Sequence, residues 1–147
     1  MAPDVGGTER ARALGQKLNV GLAIIDKRRP APGKSQVMNI IGNVKGKNCL
    51  LVDDIIDSGG TIVNAAKALK EKGAKDVYVY VTHGVLSGNA VEQINNSKIK
   101  KLILTDTIDN SNKIKKSSKI VVLSISNLMA EAIKRISNST SVSDLFK

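Results

Sequence analysis

Runs of apolar and β-branched residues alternate along the chain with stretches in which apolar residues recur at helical spacing. The runs predict buried strands at residues 22–25, 37–41, 49–52, 77–82, 102–105 and 120–123. The helical spacing predicts helices at residues 7–18, 61–72, 89–94 and 127–136. The last helix is expected to bury Leu128, Ala132 and Ile136. Because strands alternate with helices, the pattern predicts an α/β fold in which a parallel sheet carries helices on both faces.

Glycines, prolines and polar runs mark where these elements end. Residues 26–36 contain two prolines and Gly33 among four cations, and we expect this segment to lack regular structure. Gly73 is expected to end the second helix as its C′ residue. Residues 137–147 read as a polar tail. No internal repeat divides the chain, so we expect a single domain over residues 1–147.

The most informative segment is residues 53–61, Asp-Asp-Ile-Ile-Asp-Ser-Gly-Gly-Thr, between a predicted strand and a predicted helix. Glycines let the backbone approach a ligand closely, and the N–H groups at a helix start can bind phosphate. Asp53 and Asp54 would repel phosphate, but they can bind sugar hydroxyls or a Mg²⁺ held between sugar and phosphate. One Asp before one Gly would more simply cap a helix. Three Asp residues with Ser-Gly-Gly-Thr favour a site for a phosphorylated sugar.

Residues 53–61 resemble the phosphoribosyl-diphosphate (PRPP) loop of type I phosphoribosyltransferase-like proteins. Residues 2–7, 27–30 and 141–146 narrow the resemblance to the ribose-phosphate pyrophosphokinase family, because all four stretches occur in order and at the expected spacing. The resemblance covers the whole chain but corresponds to the carboxyl-terminal half or so of the family's usual length. It implies a type I phosphoribosyltransferase-like, Rossmann-like domain from which the family's amino-terminal half is absent.

Enzymes of this family transfer diphosphate from ATP to the anomeric oxygen of ribose 5-phosphate and release AMP, a reaction that depends on positioning and charge neutralisation. The resemblance implies a ribose 5-phosphate site made of Arg29, Asp53, Asp54, Asp57, Ser58, Gly59, Gly60 and Thr61. In this site residues 57–61 would hold the 5-phosphate. Asp53 and Asp54 would face the ribose 2- and 3-hydroxyls.

The resemblance also implies catalytic cations and a metal ligand. Lys27 and Arg29 match the basic residues of the family's flexible catalytic loop. Asp4 matches a Mg²⁺ ligand of the family, although without the resemblance an Asp before Gly-Gly would be read as an N-cap. The family further implies a homo-oligomer, a hexamer in the intact protein. Its ATP-binding residues lie mostly in the absent half, so we expect this chain to be inactive alone.

Charge and composition change this picture little. The net charge is +10, and seven lysines lie between residues 95 and 119. Those lysines are interspersed with Asn and Ser, and an aromatic content of 2% leaves few side chains to stack on bases. We therefore expect a solvated basic face and no nucleic-acid partner.

The remaining features predict an ordinary cytoplasmic domain. No apolar run approaches the roughly 20 residues of a membrane span, and no signal peptide opens the chain. Cys49, the single cysteine, lies in a predicted strand and should be a buried, unreactive thiol. His83, the one histidine, is expected to be a structural hydrogen-bonding residue outside the site.

Two alternative functions remain open. A phosphoribosyltransferase would use the same loop to bind PRPP and transfer the sugar to a base. Residues 27–30 and 141–146 favour the pyrophosphokinase pattern instead, and no segment resembles a base-recognising hood. A non-catalytic module that binds a sugar phosphate is the other alternative.

Overall fold

A computed structural model describes residue 1, residues 7–28 and residues 37–146, and for residues 27, 28, 37 and 38 it describes the backbone. The strands in these ranges are β1 (Ile24–Arg28), β2 (Val37–Ile41), β3 (Asn48–Ile56), β4 (Asp76–Gly84), β5 (Lys101–Thr105) and β6 (Ile120–Leu123). The helices are α1 (Thr8–Lys17), α2 (Gly60–Glu71), α3 (Ala90–Asn96), α4 (Ser111–Ile114) and α5 (Ser126–Ser137), followed by a 3₁₀ turn at Ser143–Phe146. None of these helices is long and apolar enough to cross a membrane.

Four parallel strands form the main sheet, in the order β3-β4-β5-β6. Leu51, Val79, Leu102 and Ile120 lie side by side across all four strands and are buried. The parallel α/β sheet predicted from the apolar runs is therefore confirmed. Helices cover one face of this sheet closely, and the side chains of the strands that point to that face are buried.

Helix α2 supplies much of the layer that covers this face. Its buried residues follow the predicted helical spacing and are Ile62, Ala65, Ala66 and Leu69. The helix ends as predicted, because Gly73 adopts a φ of 86°, a left-handed conformation that suits a residue without a Cβ. Ala90 and Ile94 of α3 join the same core.

Strands β1 and β2 form a separate antiparallel ribbon, with Ile24 opposite Ile41 and Arg28 opposite Val37. The prediction that residues 26–36 lack regular structure is therefore wrong for residues 26–28, which belong to β1. The prolines lie further along the chain, and β2 supplies an antiparallel partner for the backbone of residues 26–28 whatever side chains they carry.

Helix α5 forms where predicted, but it buries none of its residues. Leu128 is 46% exposed and Ile136 is 67% exposed, while Ala132 is half-buried. The expectation that these three residues enter the core is wrong. Helical spacing reports that one face is apolar, but it does not report whether another element packs on that face. Strand β6, which precedes α5, is the edge of the sheet, and Leu123 there is 50% exposed.

Met1 extends the sheet by one residue beside β3. Its amino group donates to the Leu50 carbonyl at 2.6 Å, and its carbonyl accepts from the Val52 N–H at 3.0 Å. This is the hydrogen-bond pattern of a parallel bridge opposite Leu51. Burial lowers the pKa of the Met1 amino group.

Candidate functional site

The segment singled out from the sequence lies at the carboxyl edge of the sheet, where ligand sites of open α/β folds occur. β3 runs to Ile56, four residues beyond the predicted strand, because β4 pairs beside it as far as Gly84. Asp53 and Asp54 therefore belong to the last part of the strand. Residues 57–59 then connect β3 to the start of α2.

The connection between β3 and α2 exposes backbone at the helix start. Gly59 is the N-cap of α2 and has a φ of 82°, which disfavours any residue with a Cβ. No side chain caps this helix, and the first backbone bond of its opening turn runs from the Val63 N–H to the Gly59 carbonyl at 3.0 Å. A Cβ built on Gly60 would meet no atom within 4 Å. Open space thus lies beside the N–H groups at the helix start, the arrangement that favours an anion.

The segment that follows β4 holds the backbone of this loop in place by hydrogen bonds. The Val85 N–H donates to the Ile56 carbonyl at 2.9 Å, and the Ser87 N–H donates to the Asp57 carbonyl at 3.2 Å. These bonds fix the loop backbone without using the side chains of Asp57, Ser58 and Thr61, which are all exposed.

The structure brings together seven of the predicted site residues, namely Asp53, Asp54, Asp57, Ser58, Gly59, Gly60 and Thr61. Asp4 and Arg29 lie outside the described residues. For Lys27 the structure gives a backbone position in β1, opposite Met38. The roles assigned to all of these residues stay predictions.

An arginine that the sequence did not single out joins the acidic pair. Arg10 Nη2 lies 3.1 Å from Asp54 Oδ2, and Nη1 lies 3.5 Å from Asp53 Oδ1. The Asp54 N–H also donates to Asp53 Oδ1 at 3.0 Å. The pKa of the Asp54 carboxyl is lowered, first by hydrogen bonding to Asp53 and also by the Arg10 charge. Arg10 could have been proposed from the sequence, because the first turn of a helix in an α/β fold commonly lies at the carboxyl edge of the sheet.

The acidic pair does not by itself make a metal site. Among the described residues no group of three or more His, Cys, Asp or Glu side chains could hold a metal ion. A Mg²⁺ bound to Asp53 and Asp54 would need most of its six oxygen ligands from a bound molecule and water.

His83 and Cys49, the single histidine and the single cysteine, both lie outside the acidic pair and the loop. His83 Nδ1 lies 3.0 Å from Thr107 Oγ1, which fits the expected structural hydrogen-bonding role. Cys49 is a free, buried thiol as predicted, and burial raises its pKa.

In the basic stretch of residues 95–119, Lys113 Nζ donates to the Val85 carbonyl at 2.8 Å and Lys119 Nζ donates to the Ser97 carbonyl at 2.8 Å. These two lysines therefore hold nearby backbone in place.

The family model of the phosphoribosyl synthetase-associated domain matches residues 29–147. The chain belongs to this family. The phosphoribosyl synthetase-associated domain thus covers all of residues 53–61, while Asp4 and Lys27 precede the matched range.

Individual relatives agree with this assignment. The chain is 56% identical to a ribose-phosphate pyrophosphokinase of Bradyrhizobium diazoefficiens over 146 residues, which are 99% of this chain and 46% of that protein. It is 58% identical to a ribose-phosphate pyrophosphokinase of Hyphomonas neptunium, over 99% of this chain and 47% of that protein. The chain therefore spans about half the length of the curated relatives it matches.

A solved structure is also similar to this chain. The crystal structure of phosphoribosylpyrophosphate synthetase from Mycobacterium smegmatis matches with a TM-score of 0.83 and 38% sequence identity. The match covers 94% of this chain and 44% of that chain. The family resemblance and the α/β, phosphoribosyltransferase-like fold predicted from the sequence are both confirmed.

Asn110 supports the site of this domain from the core, and its replacement by alanine should destabilise the fold. Its buried amide Nδ2 donates to the Gly84 carbonyl, at the end of β4, at 2.7 Å. Asn110→Ala would leave that carbonyl without this donor, so we expect the free energy of unfolding to fall by about 1–3 kcal/mol. Urea denaturation checks this, with Asn127→Ala on the exposed start of α5 as the control. Equal stability of both variants would contradict the supporting role.

Proposed function

We propose that this chain is part of a ribose-phosphate diphosphokinase, which transfers diphosphate from ATP to ribose 5-phosphate and yields PRPP and AMP for nucleotide biosynthesis. The observation that carries the proposal is the acidic pair of β3 followed within six residues by an uncapped, glycine-lined helix start. A carboxylate pair and an anion site on one strand-to-helix connection suit the two ends of one sugar phosphate. The similarity to ribose-phosphate pyrophosphokinases supports the same reaction.

At the phosphate end, the backbone does most of the binding. The N–H groups at the start of α2 donate to the 5-phosphate, and the helix dipole favours the negative charge. The exposed hydroxyls of Ser58 and Thr61 add two donors. Gly60 leaves the space that the phosphate needs.

At the sugar end, Asp53 and Asp54 accept hydrogen bonds from the 2- and 3-hydroxyls. Ionised carboxylates are acceptors only, so they match hydroxyl donors and reject a second phosphate. These bonds orient the ribose, because the phosphate end alone would let the sugar rotate. Correct orientation of the anomeric oxygen is what an in-line transfer requires.

In this proposal the catalytic cations come from the end of β1 and the residue that follows it. Lys27 lies in β1, and Arg29 follows the last residue of β1 in the sequence. In this proposal their charges stabilise the negative charge that develops on the transferred group. Arg29 also contacts the ribose phosphate. Asp4 is the proposed Mg²⁺ ligand, and Mg²⁺ would neutralise charge on the phosphates when bound.

The proposed enzyme is longer than this chain. The chain corresponds to the carboxyl-terminal half of a cytoplasmic homo-oligomer, whose other half supplies most of the ATP site. The share of the relatives that the chain covers, 46–47%, supports a division into two halves.

Calorimetric titration of the 147-residue chain with ribose 5-phosphate tests the proposed site. We expect saturable binding of ribose 5-phosphate, with weaker binding of 2-deoxyribose 5-phosphate by about tenfold because one hydroxyl partner of the acidic pair is lost. Ribose and inorganic phosphate serve as controls for the two ends separately. Equal affinity for inorganic phosphate and ribose 5-phosphate would contradict a sugar role for Asp53 and Asp54.

A further inference from the structure

The two carboxylates of the site belong to adjacent residues of one strand, so their convergence needs a cause. Successive side chains of a β-strand point to opposite faces of the sheet. Asp53 and Asp54 nevertheless both reach the guanidinium of Arg10, at 3.5 Å and 3.1 Å. The two residues also contact each other, because the Asp54 N–H donates to Asp53 Oδ1 at 3.0 Å.

Arg10 can cause this convergence because of its shape and its place. A guanidinium is a planar, always charged fork with separate N–H donors, so its two ends can contact two different carboxylates. Its Nη1 serves Asp53 and its Nη2 serves Asp54. Arg10 lies in the first turn of α1, more than 40 residues from either partner in sequence, so the helix anchors one side of the arrangement while β3 anchors the other.

We propose that Arg10 is a positioning residue for ribose 5-phosphate: it holds Asp53 and Asp54 in the convergent arrangement in which they accept hydrogen bonds from the ribose hydroxyls. The inference rests on the proposed function of the site. Arg10 acts through the two carboxylates and does not contact the sugar. It also reduces the charge of the pair from −2 to −1, which weakens the repulsion of an incoming phosphorylated ligand.

A role in folding does not account for these contacts. The Arg10 side chain is 44% exposed and that of Asp54 is 59% exposed, while Asp53, at 19% exposed, makes the longer of the two contacts. Ion pairs at such exposure contribute little to stability, because solvent screens them. On the neighbouring strand β4, Val81 lies opposite Asp53 and is apolar, and His83, two positions further on, contacts Thr107.

The first test compares the ribose 5-phosphate affinities of three variants by calorimetry. Arg10→Ala should weaken binding on the order of tenfold, because two charge-assisted contacts that orient the acceptors are lost. Arg10→Lys should recover only part of the loss, because an ammonium is a point charge that cannot fork to both carboxylates. Arg12→Ala is the matched control, since Arg12 is an exposed cation on the opposite side of α1, and it should leave the affinity unchanged.

A double-mutant cycle separates positioning from a general disturbance of α1. If Arg10 acts through the acidic pair, Arg10→Ala should cost little further affinity in a chain that already carries Asp54→Asn. Additive losses, or an equal loss in Arg12→Ala, would overturn the positioning role. Unchanged affinity in Arg10→Ala, in a parent chain that binds ribose 5-phosphate, overturns this inference alone. A parent chain that does not bind ribose 5-phosphate overturns the proposed function, and the inference with it.

Discussion

Replacement of Gly60 by valine should abolish ribose 5-phosphate binding and leave the fold intact. A Cβ at Gly60 meets no protein atom within 4 Å, so the valine side chain enters the space that the 5-phosphate would occupy. Valine is a better helix former than glycine, so we expect the free energy of unfolding to stay within about 1 kcal/mol of the parent value. Calorimetric titration and urea denaturation of the same preparation measure the two effects.

Two further glycines make this result interpretable. Gly21→Val is a matched control, because a Cβ there also meets nothing within 4 Å but lies far from the loop in sequence, and it should bind normally. Gly59→Val should lose stability as well as binding, because the φ of 82° is unfavourable for a β-branched residue by about 1–2 kcal/mol. Asp57→Asn keeps the shape of the loop and should have a milder effect. Full affinity in Gly60→Val would refute the phosphate site.

The second large effect is a complete separation of binding from catalysis: the 147-residue chain should bind ribose 5-phosphate but form no PRPP. Transfer from ATP requires both substrates to be held in line, an advantage of roughly 7–11 kcal/mol that is lost without a site for one of them. The chain spans about half the length of its relatives, and we propose that the other half contains most of the ATP site.

An assay of AMP release by the 147-residue chain, with ATP, Mg²⁺ and ribose 5-phosphate present, tests this prediction. A longer relative assayed in parallel provides the positive control. Formation of AMP that depends on ribose 5-phosphate, by a preparation free of longer enzyme, would show that the chain is complete for catalysis. Transfer of the 5-phosphoribosyl group from PRPP to a base, with release of diphosphate, would instead support the phosphoribosyltransferase alternative.

Local sequence patterns predicted the core of the fold well. The runs at β3 to β6 and the spacing of Ile62, Ala65, Ala66 and Leu69 are set by burial between one face of the parallel sheet and the helices that cover it, so they are visible without the structure. The loop of residues 53–61 was also visible, because three Asp residues together with Ser-Gly-Gly-Thr exceed what a helix cap and a turn require.

Features that depend on distant partners were not visible. The length of β1 depends on pairing with β2 across the connection, and the exposure of Leu128 depends on what lies beside α5. Arg10 is more than 40 residues from Asp53 and Asp54, and only the fold shows that α1 brings its first turn to the end of β3. The local signal for Arg10 was weak, because a place in the first turn of a predicted helix does not single out one arginine in a basic chain.

The bridge between Met1 and Leu51 decides where a purification tag belongs in all of these experiments. Because Met1 continues the parallel ladder, any polypeptide fused ahead of it would leave along the edge of β3, where backbone groups can recruit an added strand. Such a fusion would lie beside β3, the strand that carries the acidic pair. A tag after the exposed 3₁₀ turn at Ser143–Phe146 leaves that edge as it is, so affinities should be measured on carboxyl-terminally tagged protein.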